Sequence, residues 1–121
     1  MKWNDERFWG FIDEIALQEN RADKIVVATK KIDRMSVEDR AEIAGLLEDH
    51  MDELSIESVY QALVDLNGGN PPSKEKHRGC MAGIISNGRD FFETVLEQPE
   101  YLRETYPGPE LLQMNELLHI L

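Results

Sequence analysis

The chain has 121 residues, enough for one modest core, and its 24 acidic against 13 basic side chains give a formal net charge of −11. That charge repels phosphate backbones, which argues against direct nucleic-acid binding, and it steers basic partners toward the surface. The single cysteine, Cys80, excludes an intramolecular disulfide, and no apolar run nears the roughly 20 residues that span a bilayer.

The opening stretch, residues 1–7, is too acidic for a signal peptide and lacks an apolar segment. The expectation is a cytoplasmic protein without membrane attachment, folded as a single helical domain over residues 1–121. A first helix is expected over residues 5–19, where Phe8, Phe11, Ile12, Ile15 and Ala16 recur at helical spacing. Asn4 or Asp5 can cap it, and Trp9 lies beside its apolar face. A second helix is expected over residues 22–34 on the stripe Ile25, Ala28 and Ile32. Its Val26-Val27 pair also suits a strand, whereas Lys30, Lys31 and Arg34 suit a helix C-terminus.

Ser36 caps the clearest helix. Val37, Ala44 and Met51 step by seven, as do Leu47 and Leu54, and Ile43 broadens the seam. Two heptads are too few for a coiled coil, so a core-facing bundle helix is expected. Its outer face carries Glu38, Asp39, Glu42, Glu48, Asp49, Asp52 and Glu53, with only Arg40 as a base.

Ser55 is the next N-cap candidate, before a short helix carrying Val59, Tyr60, Leu63, Val64 and Leu66. Asn67-Gly68-Gly69 stops it, because these residues readily adopt the left-handed conformation that closes a helix. Asn70-Pro71-Pro72 then forces an extended stretch. Ser73 caps a helix to about Ser86, in which Gly79 and Gly83, one turn apart, allow close approach of another helix. Asn87-Gly88 is a second break. Asp90 opens a short helix with Phe91, Phe92, Val95 and Leu96, and Pro99 begins a further turn. After the corner Pro107-Gly108-Pro109, Pro109 can be the first residue of a strongly apolar last helix. No segment shows two-residue alternation between hairpin turns. The expected fold is all-α, an irregular bundle of about six or seven helices.

Several of these landmarks resemble the bacterial family called domain of unknown function 4240. They are Phe8-Trp9-Gly10-Phe11-Ile12-Asp13, the serine-capped start Met35-Ser36-Val37-Glu38-Asp39 and Leu66-Asn67-Gly68-Gly69. Ile84-Ile85-Ser86-Asn87-Gly88-Arg89 and Gln98-Pro99-Glu100-Tyr101-Leu102 complete the set. The resemblance runs over about residues 7–102. It differs after Gly-Gly, where the family has an acidic loop and this chain has Asn70-Pro71-Pro72-Ser73-Lys74. It implies a fold and no reaction.

The residues themselves point to no chemistry outright. His77 and Cys80 share a helix face, but a zinc site needs three or four ligands, and only His50 and His119 remain as histidines. Cys80 with His50 or His77 lacks anything that fixes a nucleophile, base and orienting group together. Neither a metal, a cofactor nor a catalytic residue is therefore assigned. The Gly-Gly turn lacks the ending of a phosphate loop and follows no strand. Arg89, beside a helix start, can hold an anion, although a salt bridge to Asp13 or Asp90 is the plainer role.

Two function classes follow. The first is a non-enzymatic protein-interaction module, immunity- or antitoxin-like, that docks a basic protein partner through Glu38, Glu42, Asp49, Asp52 and Glu53; a nucleic-acid mimic is its variant. The alternative is a small-molecule sensor or enzyme with a pocket near Trp9, Asn87 and Arg89. Self-association through the Gly79/Gly83 face or the terminal leucines is a further option.

Overall fold

The computed structural model describes residues 3–121. Among the described residues eight α-helices follow one another: α1 Asp5–Ala16, α2 Arg21–Asp33, α3 Val37–Leu54, α4 Glu57–Leu66, α5 Lys74–Ser86, α6 Arg89–Glu97, α7 Tyr101–Thr105 and α8 Asn115–Ile120. A 3-10 turn, Pro109–Leu111, precedes the last. No strand forms among the described residues, so the fold is all-α as the sequence implies.

One hydrophobic cluster draws side chains from all eight helices. Helix α5 lies at its centre, against α1, α3, α6 and α8, and every residue from Gly79 to Ser86 is buried. Such a helix, apolar or small on all sides, has no solvent face to present. Its two glycines set how closely the neighbours approach. A Cβ at Gly83 would lie 1.6 Å from the carbonyl oxygen of Leu112, and one at Gly79 would lie 2.1 Å from the Asn115 side chain. The C-terminal segment is strapped across this strip: the Met114 amide donates to the Gly79 carbonyl at 2.9 Å, and the Asn115 side chain donates to the Glu75 carbonyl at 3.0 Å. The Gly79/Gly83 face is thus filled from within the chain and is not open to a second copy.

Local chemistry accounts for half of the helix starts. Asn4, Asn20, Ser36 and Ser73 each accept a hydrogen bond from the amide three residues on. Helix α1 ends at Ala16 rather than near residue 19, because Asn20 must leave the helix to cap α2. Ser55 does not cap α4: its hydroxyl turns back to the Met51 carbonyl at 3.1 Å, and Ile56 occupies the cap position. Gly68 and Gly69 take φ of +71° and +85°, and the Gly69 amide closes α4 on the Val64 carbonyl. Pro109 opens the 3-10 turn and not the last helix. The bond from Met114 to Gly79 holds the chain out of helical geometry until Asn115.

Candidate functional site

Helix α3 turns its seam of Ile43, Leu47, Met51 and Leu54 inward. Val37 stands apart from that seam, 78% exposed at the first turn, beyond the packed length of the helix. At 3.6 residues per turn, Glu38, Glu42, Asp49, Asp52 and Glu53 fall within an arc of about 100° on the opposite side. Gly45 lies in the same arc, with nothing within 4 Å of where its Cβ would be, so the backbone is open there.

Within the arc the five acids differ. The Glu42 carboxylate accepts the Trp3 amide at 3.2 Å, and a Glu53 oxygen lies 2.9 Å from Nδ1 of His50. Glu38, Asp49 and Asp52 make no ion pair or hydrogen bond through their side chains among the described residues. Asp52 feels Arg78 only at a distance; Arg78 is committed to Glu48 at 2.5 Å, and that hydrogen bond raises its pKa. The arc is therefore a band of negative charge with three carboxylates uncommitted.

At the edge of this band His50 is buried in an aromatic nest. Its ring stacks on Phe8 with centroids 5.3 Å apart and touches Trp9 and Phe92. Its Nε2 is 3.1 Å from the Asp5 carboxylate, which ties the start of α1 to α3. The Glu53 approach to Nδ1 is close but is not an aligned hydrogen bond. Nothing in the sequence distinguishes His50 from a surface histidine except its place on the i, i+3, i+4 stripe with Leu47, Met51 and Leu54.

The structure separates Trp9 from Asn87 and Arg89. Trp9 is 3% exposed and belongs to the nest with His50 and Phe92. Arg89 and Asn87 both line a shallow groove of about 210 Å³ with Asp13, Leu17 and Asp90; Trp9 does not reach it. The Arg89 guanidinium binds Glu93 at 3.0 Å, one turn along α6. Its backbone amide donates to the Asp13 carboxylate at 3.1 Å. Asp13 is thus the anion at the α6 N-terminus, supplied by α1. Gly88, at φ +101°, makes the corner; a Cβ there would press on that carboxylate at 3.2 Å.

Asn87 faces a second opening that the sequence did not mark. A cleft of about 310 Å³ lies between the first turn of α2, the end of α5 and the strap, lined by Arg21, Lys24, Asn87, Tyr106, Leu111 and Met114 among others. Lys24 donates to the Asn87 side-chain oxygen at 2.5 Å. The Asn87 amide in turn donates to the Gly83 carbonyl and to the Tyr106 hydroxyl oxygen. Burial lowers the Lys24 pKa; burial raises that of Tyr106, with the Asn87 bond opposing. The only sequence sign of this cleft was Asn87 itself.

Cys80 is buried in α5, and burial pushes its thiol up to about 12. A thiol so protonated is a packing group and a poor nucleophile. His77, one turn earlier, faces Tyr60 edge-on, and burial lowers its pKa. Among the described residues no three His, Cys, Asp or Glu side chains gather into a group that could hold a metal ion. Nor is any helix there long and apolar enough to cross a membrane.

A family model described as protein of unknown function (DUF4240) matches residues 3–121, and the chain belongs to that family. The match takes in the strap and α8 as well as residues 7–102, where the quoted landmarks lie. No curated protein and no solved structure gives a match.

Proposed function

We propose that this member of the DUF4240 family is a non-enzymatic protein-interaction module that docks a basic partner on the outer face of α3, in the manner of an immunity or antitoxin-like protein. The observation that carries the reading is the band itself. Glu38, Asp49 and Asp52 are uncommitted, flanked by Glu42 and Glu53, with the backbone bare at Gly45. Like charges at i, i+4 spacing, such as Asp49 and Glu53, repel each other. A cationic surface removes that repulsion and is attracted over about a Debye length. An open glycine lets partner side chains reach the helix without displacing one of its own.

We take the protein to act as one helical unit over residues 1–121, in the cytoplasm. The alternative pocket near Trp9 and Arg89 finds less support, with Trp9 buried among rings and Arg89 held by Glu93.

The test is partner capture from the native host at low salt, with an Asp49→Lys/Asp52→Lys variant beside the wild type. These two positions carry no structural bond, so the variant reports charge alone. A basic protein retained by the wild type, eluted by salt and lost with the variant supports the reading. Partners that bind both proteins equally refute it.

A further inference from the structure

We propose that the cleft between α2, Asn87 and Tyr106 is a binding site for a small organic oxyanion, a carboxylate or phosphate head on a short apolar body. Three side chains in its lining carry hydrogen-bond donors, Arg21 and Lys24 from α2 and Tyr106 after α7, and Glu19 is the one acid that lines it. Lys24 spends one N–H on Asn87 and has no carboxylate partner among the described residues, although the chain carries 24 acids. Tyr106 accepts from Asn87 at 2.9 Å, which leaves its own proton without an acceptor among the described residues. Arg21 sits at the same rim, bonded to the Gln113 carbonyl and Glu116 with part of its guanidinium unused. A half-buried ammonium without a counter-ion is held at a cost in desolvation, as its lowered pKa reflects. An arriving anion relieves that cost and accepts from Lys24 and Tyr106 together.

The rest of the cleft fixes the ligand's size and body. Its volume, about 310 Å³, is at the small end of ligand pockets. Leu111, Leu112 and Met114 supply an apolar wall. A separate apolar cavity that shares Lys24 and Met114 with the cleft holds only about 10 Å³ among Ile15, Ile25 and Leu117, too little for an extended chain. The ligand is therefore a compact acid or phosphomonoester and not a nucleotide or a long fatty acid. The site is independent of the α3 band, so the two readings stand or fall separately.

The probes are hexanoate, hexyl phosphate and 1-hexanol, titrated against the full chain while the Asn87 side-chain amide is followed by two-dimensional NMR. Both anions are expected to shift that resonance saturably, with hexanol weaker by about tenfold or more, the worth of a charged hydrogen bond. Lys24→Gln is expected to weaken both anions by a similar factor. Leu111→Asp, at an exposed rim position, puts a negative charge at the mouth and leaves the Lys24–Asn87 bond in place; it is expected to weaken them too. Hexanoate ahead of hexyl phosphate assigns a carboxylate head, and the reverse order a phosphate head; either upholds the site. Hexanol binding as tightly as the anions overturns it. So does anion affinity unchanged in both variants, or no shift with either anion at ~10 mM, where even a weak pocket shows occupancy.

Discussion

Replacing Gly83 by alanine tests how the strap is held. The added Cβ would sit 1.6 Å from the Leu112 carbonyl oxygen and 2.8 Å from its carbon. Backbone cannot rotate away as a side-chain tip can, so the strap must retreat about 2 Å to reach ordinary contact distance. Overpacking absorbed by small shifts costs about 1–3 kcal/mol. Full release exposes Leu112, Met114 and Leu117, all buried, at about 1.5–3 kcal/mol each. Alanine also recovers about 1 kcal/mol of helix propensity. The net expectation for release of the strap is a destabilisation of at least about 3.5 kcal/mol, with loss of amide protection concentrated in residues 112–121. Gly45→Ala is the matched control. It is also a mid-helix glycine, but its Cβ meets open space, so it gains about 0.5–1 kcal/mol. Urea denaturation of both variants, with hydrogen exchange on Gly83→Ala, reads the difference. Gly83→Ala as stable as Gly45→Ala would refute the account of the strap.

His50→Ala removes a ring packed against Phe8, Trp9 and Phe92 and is expected to cost about 3 kcal/mol in urea unfolding, whereas His50→Phe, which keeps a ring, costs less; equal costs contradict the nest. Because burial holds the His77 pKa below the histidine range, the unfolded chain takes up its proton first as pH falls. The stability that neutral His77 contributes is therefore present above about pH 6.5 and declines as pH falls toward its folded value. Urea midpoints between about pH 7 and 5 should fall less in His77→Gln than in wild type, and parallel curves would contradict the sign. Cys80, with its thiol pushed up to about 12, should resist iodoacetamide at about pH 8 in the native state and react once unfolded. Rapid alkylation of native protein, followed by mass spectrometry, would show that the thiol is exposed.

The helical class was legible because its signals are local. Ser36 and Ser73 cap where a serine precedes an apolar period, and Gly68-Gly69 closes α4 with two positive φ angles. The acidic arc was legible for the same reason, since residues on one helix share a face by arithmetic alone. What failed depended on partners distant in sequence. The last helix was expected from Pro109, but a carbonyl at Gly79 takes the Met114 amide and postpones it to Asn115. Ser55 was a good cap by type, yet the Met51 carbonyl was nearer. Arg89 was matched by charge to Asp13 or Asp90; its backbone amide meets Asp13, while the guanidinium turns to Glu93 instead. The cleft was invisible because Lys24, Asn87 and Tyr106 carry no motif. Only packing of the strap against α5 brings them together.

Affinity measured against salt reads most directly whether charge on the outer face of α3 governs partner binding. The partner captured by the wild type would be titrated by calorimetry at several salt concentrations, against wild type and Asp49→Lys/Asp52→Lys. The account predicts a wild-type affinity that falls steeply with salt and a variant that binds at least about tenfold more weakly at low salt, since close charge pairs across an interface are worth over 1.5 kcal/mol. Equal affinities, with the same salt slope for both proteins, would contradict it.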